Sequence, residues 1–226
     1  IAPANFQRIN INSVTDRSRL TDVKQWGDVA WASMETAFSG CNNLNITATD
    51  VPNLTGVSSM LDMFRGCLIL TGPSNINSWN TATVTDMSGM FAGCSAFNQS
   101  VSNFNTEKVT NMSGMFFGCR SFNQPVSNFN TDAVTDMRFM FQGCSTFNQS
   151  VSNFNTSAVT DMVYMFYGCS AFNQSLASWG SQLNANVYLF AFLSNCGMSV
   201  ANYDATLKAF AAGTVTGRSM GATGLK

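Results

Sequence analysis

The sequence contains no histidine and few charged residues, and these absences exclude several kinds of function. Only 10% of the 226 residues are charged, whereas soluble domains average about 25%, so uncharged Asn, Ser, Thr and Gln must form most of the surface. Without histidine, the chain lacks the commonest general base and the commonest neutral metal ligand. Its net charge of -1 provides no basic field to attract nucleic acid or an anionic membrane surface.

Long apolar runs are also missing. No stretch approaches the roughly 18 consecutive apolar residues of a membrane-spanning helix, and residues 1–6 do not resemble a signal peptide. Because the chain begins without Met and stops abruptly at Lys226, we expect it to be a domain of a longer chain. It has no Gly-rich phosphate loop or nucleophile elbow, and its acidic residues are scattered, so we expect no enzymatic activity, no cofactor and no metal.

What the sequence does contain is a repeat, which its seven cysteines mark. They occupy positions 41, 67, 94, 119, 144, 169 and 196, so the successive intervals are 25 to 27 residues. The clearest unit, VTDMSGMFAGCSAFNQSVSNFNTEK, starts at Val84 and recurs from Val109, Val134 and Val159. Degenerate copies on both sides bring the total to about seven. A fixed period near 25 residues is typical of a solenoid.

Each unit carries one helix-like pattern and one strand-like pattern. Apolar residues at i, i+3, i+4 and i+7 from Met87 to Cys94 predict a short helix, with Asp86 as an N-cap residue and Gly93 near the chain reversal. The alternating segment Ser100–Phe104 predicts a short strand. We therefore predict an α/β fold, a right-handed leucine-rich-repeat-like solenoid with one short parallel strand and one short helix per coil of about 25 residues.

A solenoid needs a cap at each end to cover its apolar cross-section. We predict an N-terminal cap over 1–22, about seven coils over 23–198, and a C-terminal capping helix and tail over 199–226, all in one structural domain. Within the last segment, Asn202–Ala212 predicts an amphipathic helix with Tyr203, Leu207 and Phe210 on its apolar side.

The repeat resembles a known family. The unit VTDMSGMFAGCSAFNQSVSNFNT, the earlier segment VKQWGDVAWASMETAFSGC and the later segment GMSVANYDATLKAF are similar to the BspA-like leucine-rich-repeat surface proteins, in the branch common in mycoplasmas and marine bacteria. The similarity covers roughly Val23 to Phe210. It implies an extracellular, cell-surface domain used in adhesion or binding, and it supplies no catalytic residues.

Four columns of equivalent residues have a structural interpretation. We expect the cysteines to be buried free thiols, with disulfides between neighbouring coils as the alternative. The side-chain oxygens of Asp86 and its equivalents fit capping better than calcium binding, because the same column contains Asn111. Asn98 and its equivalents suit hydrogen bonds along the stack. The paired methionines, such as Met87 and Met90, are expected in the core.

Positions that vary between coils are candidates for binding. Two helix-side columns vary most and gain aromatic residues in the later coils, and these residues lie off the inward apolar stripe. We predict a partly exposed aromatic binding patch, hereafter the aromatic patch, which consists of Phe117, Phe139, Tyr164 and Tyr167. The alternative is that these side chains pack between coils or against a flanking domain.

The predicted strand face is a second candidate binding surface. It is small, uncharged and repetitive, which suits a saccharide or an extended peptide. Its residues are Ser100, Ser102, Asn103, Ser127, Asn128, Ser152 and Asn153.

Together these features predict a non-catalytic binding module of a cell-surface or secreted protein that adheres to a protein or glycan partner. We expect no nucleic acid partner, no direct membrane insertion and a monomeric solenoid within a larger chain. One alternative is a structural spacer in a large adhesin. Another is an ice-binding solenoid that uses two threonine columns, Thr81, Thr106, Thr131 and Thr156, and Thr85, Thr110, Thr135 and Thr160.

Overall fold

The computed structural model describes residues 7–11, 14–213 and 220–224. Regular elements are short and few: helix α1 (Val14–Arg19), strands β1 (Asp22–Val23) and β2 (Asn45–Ile46), and helix α2 (Val200–Ala212). Two 3-10 helices complete the set, at Ile76–Ser78 and Ala177–Trp179. Parts of the predicted caps, at 1–6, 12–13, 214–219 and 225–226, lie outside the described residues.

Consecutive units are joined in parallel at equivalent positions. Strands β1 and β2 pair Asp22 with Asn45 and Val23 with Ile46. Further along the chain, single parallel bridges connect one residue of each unit to its equivalent in the next, through Ser59, Asp86, Asn111, Asp136, Asp161 and Tyr188. The molecule therefore has a repeat-type fold in which each unit hydrogen-bonds to its sequence neighbours.

The predicted helix in each unit is wrong, and the backbone hydrogen bonds give the reason. Between Met87 and Gly93, every second N–H donates to the following unit, as Met87 N does to Asn111 O at 3.0 Å and Gly89 N does to Ser113 O at 2.8 Å. The intervening N–H groups close local turns, as Met90 N does to Met87 O at 3.2 Å. Positive φ angles at Gly89 (61°) and Gly93 (76°) break the helical path. The segment is a row of turns that pairs with its neighbours, and this row connects the units.

The predicted strand at Ser100–Phe104 is also wrong. The segment closes a turn, in which Phe104 N donates to Val101 O at 3.0 Å. Its link to the preceding unit runs through a side chain, because Asn103 N donates to Asn77 Oδ1 at 2.7 Å. The parallel connection lies instead at the Asp86 column, which the sequence had suggested as a helix cap.

Methionine and phenylalanine fill the interior, as the sequence predicts. The paired methionines of each unit are fully buried, and so are the phenylalanines beside them. One column of rings stacks with centroids 5.6 to 5.8 Å apart, and it consists of Phe64, Phe91, Phe116, Phe141 and Phe166. A second stacks at 6.0 to 6.1 Å, and it consists of Phe97, Phe122, Phe147 and Phe172. The two columns contact each other at 4.1 to 4.2 Å.

The prediction of buried free thiols is confirmed for all seven cysteines. Five of their thiols donate to the carbonyl oxygen of the phenylalanine in the preceding unit, as Cys119 Sγ does to Phe91 O at 3.0 Å. Burial raises the pKa of Cys119 well above its usual value, and it raises that of Cys41 to about 11. The buried thiols are therefore protonated, and five of them act as hydrogen-bond donors within the core.

Polar side chains hold the turns, which confirms the capping interpretation in a modified form. Asp86 Oδ1 accepts from Ser88 N at 2.8 Å, and Asn111 Oδ1 accepts from Ser113 N at 3.0 Å, so the oxygen closes an Asx turn rather than a helix. The asparagine column bonds along the stack as predicted, since Asn123 N donates to the Oδ1 of Asn98 at 2.9 Å.

Segments outside the repeats hydrogen-bond to the first and last units. At the start, Ala32 N donates to Gln7 O at 2.9 Å. At the other end, Ser199 caps α2, and Thr206 of α2 accepts from Leu176 N at 3.0 Å. Phe210 is buried as predicted, but Leu207 is 38% exposed, because packing buries Thr206 and Phe210 instead.

Candidate binding surface

The turn row contains two columns of residues with left-handed backbone, one near its middle and one at its end. In the second left-handed column, φ lies between 57° and 79°, at Gly40, Gly66, Gly93, Gly118, Gly143, Gly168 and Asn195. In the first left-handed column, φ lies between 52° and 61°, at Thr36, Asp62, Gly89, Gly114, Phe139, Tyr164 and Ala191. The second column holds only residues that tolerate this conformation. The first column does not follow that rule.

Phe139 (φ 59°) and Tyr164 (φ 57°) adopt a conformation that is rare for bulky residues. A left-handed L-residue costs about 1–2 kcal/mol relative to the right-handed form. The equivalent positions in the two preceding units are Gly89 and Gly114, with φ of 61° and 58°. Glycine occupies two of the seven positions in this column, and Thr36, Asp62 and Ala191 adopt the same conformation, so the fold enforces this turn on several residue types. Phe139 and Tyr164 are the bulkiest members of the column and are strained there.

The structure brings most of the predicted aromatic patch together. The rings of Phe139 and Tyr164 stack with centroids 5.7 Å apart and an interplanar angle of 18°. Tyr164 contacts Tyr167 edge to face at 5.2 Å. All three are half-buried, and Phe117 is 41% exposed. Their partial exposure fits the predicted patch, and the stacking of Phe139 on Tyr164 of the next unit also fits the alternative of packing between coils.

One further aromatic residue, Phe190, extends this patch, and a second exposed aromatic, Tyr188, stands two residues before it in the chain; neither was predicted from the sequence. Phe190 contacts Tyr164 edge to face at 5.5 Å, and both Phe190 and Tyr188 are 64% exposed. In the register of the final unit, Phe190 is equivalent to Val163 and Tyr188 to Asp161, so neither aligns with an aromatic residue in the earlier units. A parallel β-bridge pairs Tyr188 with Asp161, and this pairing sets the register of the final unit against the preceding one.

An open pocket of about 470 Å³ adjoins the patch on the side of the earlier units. Its floor includes Gly89 and Gly114, where no side chain projects, and its walls include Phe117 and Phe139. Tyr164 does not line it. The pocket therefore lies on the Gly114 side of Phe139, and the stacked Tyr164 lies on the other side.

The charged groups around this pocket are paired. Arg65 lies 3.4 Å from the Oδ1 of Asp62, and Arg138 Nε lies 3.1 Å from the Oδ2 of Asp136. Burial raises the pKa of Asp136, whereas hydrogen bonding and charge from Arg138 oppose that rise. The surface around the pocket is therefore nearly neutral despite its two guanidinium groups.

Uncharged polar groups also line the pocket. The Ser88 hydroxyl donates to Asp86 Oδ1 at 2.6 Å. Within the described part of the chain, neither the Ser113 hydroxyl nor the Gln142 amide makes a hydrogen bond to protein. These two groups are available to a polar ligand.

The predicted strand face is a row of turns rather than a strand. Ser100 and Ser102 are half-buried and their hydroxyls lie 3.1 Å apart, whereas the other members are exposed. Asn153 Nδ2 donates to Ser127 O at 2.7 Å, which joins two units. Much of the hydrogen-bonding capacity of this row is therefore used within the protein.

A comparison of the sequence with models of known protein families identifies the family of this chain. The family described as "Mycoplasma protein of unknown function, DUF285" matches twice, at residues 32–128 and 99–203. The chain belongs to this family. DUF285 is related to the BspA-like repeats. No curated protein and no solved structure matches the chain significantly.

The two matches to DUF285 overlap and together include every residue of the aromatic patch. No helix in the described part of this DUF285 chain is long and apolar enough to cross a membrane. Across residues 7–11, 14–213 and 220–224, no three acidic or cysteine side chains lie in a group suited to a metal ion.

The threonine columns of this DUF285 chain differ from each other in exposure. Thr81, Thr106 and their equivalents are at most 2% exposed, and Thr81 Oγ1 donates to Asn105 O at 3.0 Å. This buried threonine column is therefore unavailable to ice. Thr85, Thr110 and their equivalents are exposed, but their hydroxyls donate to backbone carbonyls of the preceding unit at 3.1 to 3.3 Å.

Proposed function

We propose that this DUF285 chain is a non-catalytic binding module of a cell-surface or secreted protein, which adheres to a protein or carbohydrate partner through the aromatic patch. The observation that carries the proposal is the left-handed backbone of Phe139 and Tyr164. Conformational strain persists where the surrounding structure enforces it, and it often marks a functional position. Two half-exposed aromatic rings at strained left-handed positions fit recognition better than folding.

The arrangement of the units supports an extended binding surface. We propose that the hydrogen-bonded units form a single solenoid of the BspA-like type, whose turn rows stack along one face. Stacked repeats give long surfaces on which neighbouring units contribute equivalent side chains. The low charge of the chain favours a partner that is recognised by contact rather than by electrostatic steering. An extracellular location is part of the same proposal and follows from the BspA-like resemblance.

A binding screen with two matched variants tests this function. The first variant carries Phe139→Gly and Tyr164→Gly, and the second carries Ser127→Ala and Ser152→Ala in the row of turns that replaces the predicted strand face. We expect the purified protein to bind on a glycan array, on a peptide array or to whole cells. The first variant should lose at least about tenfold in affinity, which corresponds to about 1.4 kcal/mol, and the second should be unchanged.

The outcomes separate the candidate faces from a spacer. Loss of binding in the serine variant alone would assign recognition to the row of turns instead of the aromatic patch. Absence of binding in all three assays would favour the structural spacer. Cells that express the full-length protein, stained before permeabilisation with an antibody to this domain, test the proposed location.

A further inference from the structure

The stack of aromatic rings at Phe139 and Tyr164 ends abruptly on one side. Tyr164 covers one face of the Phe139 ring at 5.7 Å. The other face points towards the preceding unit, where the equivalent residue is Gly114. A side chain at Gly114 would continue the stack, and its absence leaves an open space beside a flat aromatic surface. We call the space bounded by Gly114, Phe117 and Phe139 the Gly114 slot.

The far side of the slot is closed by a different side chain. A Cβ atom at Gly89 would collide with the carboxylate of Asp62, so that carboxylate lies over Gly89. At Gly114, by contrast, an added Cβ would meet only the Cβ of Phe117, at 3.8 Å. The slot is therefore sterically free at Gly114, and the Asp62 carboxylate over Gly89 limits it on the side opposite Phe139. The enclosing pocket of about 470 Å³ lies within the range of roughly 300–1,000 Å³ that small ligands occupy.

The chemistry around the slot combines an aromatic face with a rim of polar groups. The face of an aromatic ring carries negative charge density and attracts weakly positive C–H groups. Ser113 and Gln142 offer hydrogen bonds that the described protein does not use, and Arg138 keeps N–H groups beyond its contact with Asp136. The charges of Arg138 and Arg65 are already matched by carboxylates, so the site does not favour an anion.

We propose that the Gly114 slot binds one pyranose ring of a neutral saccharide, which stacks on the free face of Phe139. This inference rests on the proposed binding function and names its ligand class. A pyranose ring presents an apolar C–H face together with a rim of hydroxyl groups, and the slot matches both. An aromatic peptide side chain has the flat face but few polar groups, so it would leave Ser113 and Gln142 without partners.

Three variants test the slot. Gly114→Phe places in the slot the residue that the same backbone position holds at Phe139, so the ring should fill the space. Phe139→Leu keeps apolar bulk but removes the flat face. Gly118→Asn is the matched control, because it changes a left-handed glycine of the same unit (φ 69°) that does not line the pocket. Thermal melts of all three verify folding.

Binding is measured by calorimetry and saturation-transfer NMR with neutral hexasaccharides of glucose, mannose, galactose, xylose and N-acetylglucosamine. An acidic oligogalacturonate and tyrosine- or tryptophan-containing peptides are tested in parallel. We expect at least one neutral hexasaccharide to bind the wild type. Its affinity should fall about tenfold in Gly114→Phe and about fivefold in Phe139→Leu, in line with the energy of one aromatic stack, and should stay within about twofold in Gly118→Asn.

Each other outcome overturns the inference in a recognisable way. Equal saccharide binding by the wild type and all variants would refute the Gly114 slot as the binding site, but it would still support a binding module. Binding of peptides or of oligogalacturonate, without binding of neutral sugars, would refute the neutral saccharide and identify a peptide or an acidic saccharide as the ligand instead. Cell binding without any saccharide binding would likewise refute the saccharide while retaining the proposed function. A protein that binds neither sugars, peptides nor cells would refute both.

Discussion

Replacing Phe139 with glycine tests whether this ring is needed for folding. Glycine relieves a left-handed backbone penalty of about 1–2 kcal/mol. Against this gain, it removes a stacked contact with Tyr164 worth about 0.5–1.5 kcal/mol and burial of half a ring worth about 1 kcal/mol. It also adds freedom to the unfolded chain, at about 0.4–1 kcal/mol. We therefore expect a net loss of only about 1 kcal/mol in the free energy of unfolding.

The matched comparison is Phe141→Ala, two residues along the same turn row. Phe141 is fully buried and stacks on Phe116 at 5.7 Å, on Phe147 at 4.2 Å and on Phe166 at 5.6 Å. Removing a core phenylalanine costs about 3–5 kcal/mol. At about 2–4 °C per kcal/mol for a chain of this size, the melting temperature should fall by about 6–20 °C in Phe141→Ala and by about 2–4 °C in Phe139→Gly.

Thermal unfolding followed by circular dichroism, with urea titration as a second measurement, gives both values. Phe139→Gly should retain the wild-type spectrum and a nearly wild-type midpoint. If Phe139→Gly instead destabilised the protein by about 3 kcal/mol or more, as a core truncation does, the ring would be part of the core. Phe139 would then be present for folding and not for recognition.

Further substitutions test other features of the structure. Gly118→Ala should lower the free energy of unfolding by about 1–2 kcal/mol, because alanine disfavours the left-handed φ of 69°. The new Cβ adds no clash, since its nearest contact is Gly93 Cα at 3.8 Å. Gly118→Asn should lower the free energy of unfolding by less, and urea titration of both variants measures the difference. Hydrogen bonds from the backbone N–H groups of Trp26 and Gly27 lower the pKa of Asp50, so its stabilisation is present above the usual carboxyl pKa and is lost as the pH falls through the lowered folded value. Asp50→Asn should therefore flatten the acid limb of a stability–pH curve, and an unchanged limb would refute this contribution. Burial raises the pKa of Cys41 to about 11, and it raises the pKa of Cys119 and Cys144 well above the usual value, so native protein at pH 8 should not react with Ellman's reagent. Unfolded protein should expose all seven thiols.

Much of the interior was predictable from the repeat itself. A residue that recurs at every unit, such as Met87 or Cys94, occupies the same environment each time, so its burial follows from its chemistry and its periodicity. The side-chain oxygen of Asp86 was assigned to a backbone N–H for a similar reason, because Asn111 shares the column and only the oxygen is common to both. That bond exists, although it closes a turn.

The secondary structure was not predictable from the same pattern. Apolar residues at 87, 90, 91 and 94 fit one face of a helix, but alternating turns also direct these four positions inward. The missed signal was Gly89 in the middle of the supposed helix, where glycine is unfavourable. Its left-handed φ, together with that of Gly93, redirects alternate N–H groups to the next unit.

The candidate site was predictable only in part, for a related reason. Variation between units identified Phe139 and Tyr164, but only the backbone angles show that they occupy left-handed positions. Phe190 was missed because its equivalents in the earlier units, such as Val163 and Arg138, are not aromatic.

By itself, the sequence determined the period of the fold, its apolar interior and its nearly uncharged surface, because each depends on which residue types recur at each position. The tertiary structure alone decided how the units are joined, because a hydrogen bond from Gly89 to Ser113 in the next unit depends on the path of the backbone through space. It also decided where a ligand can enter, since the Gly114 slot exists only because Phe139 stands one unit away from a residue without a side chain.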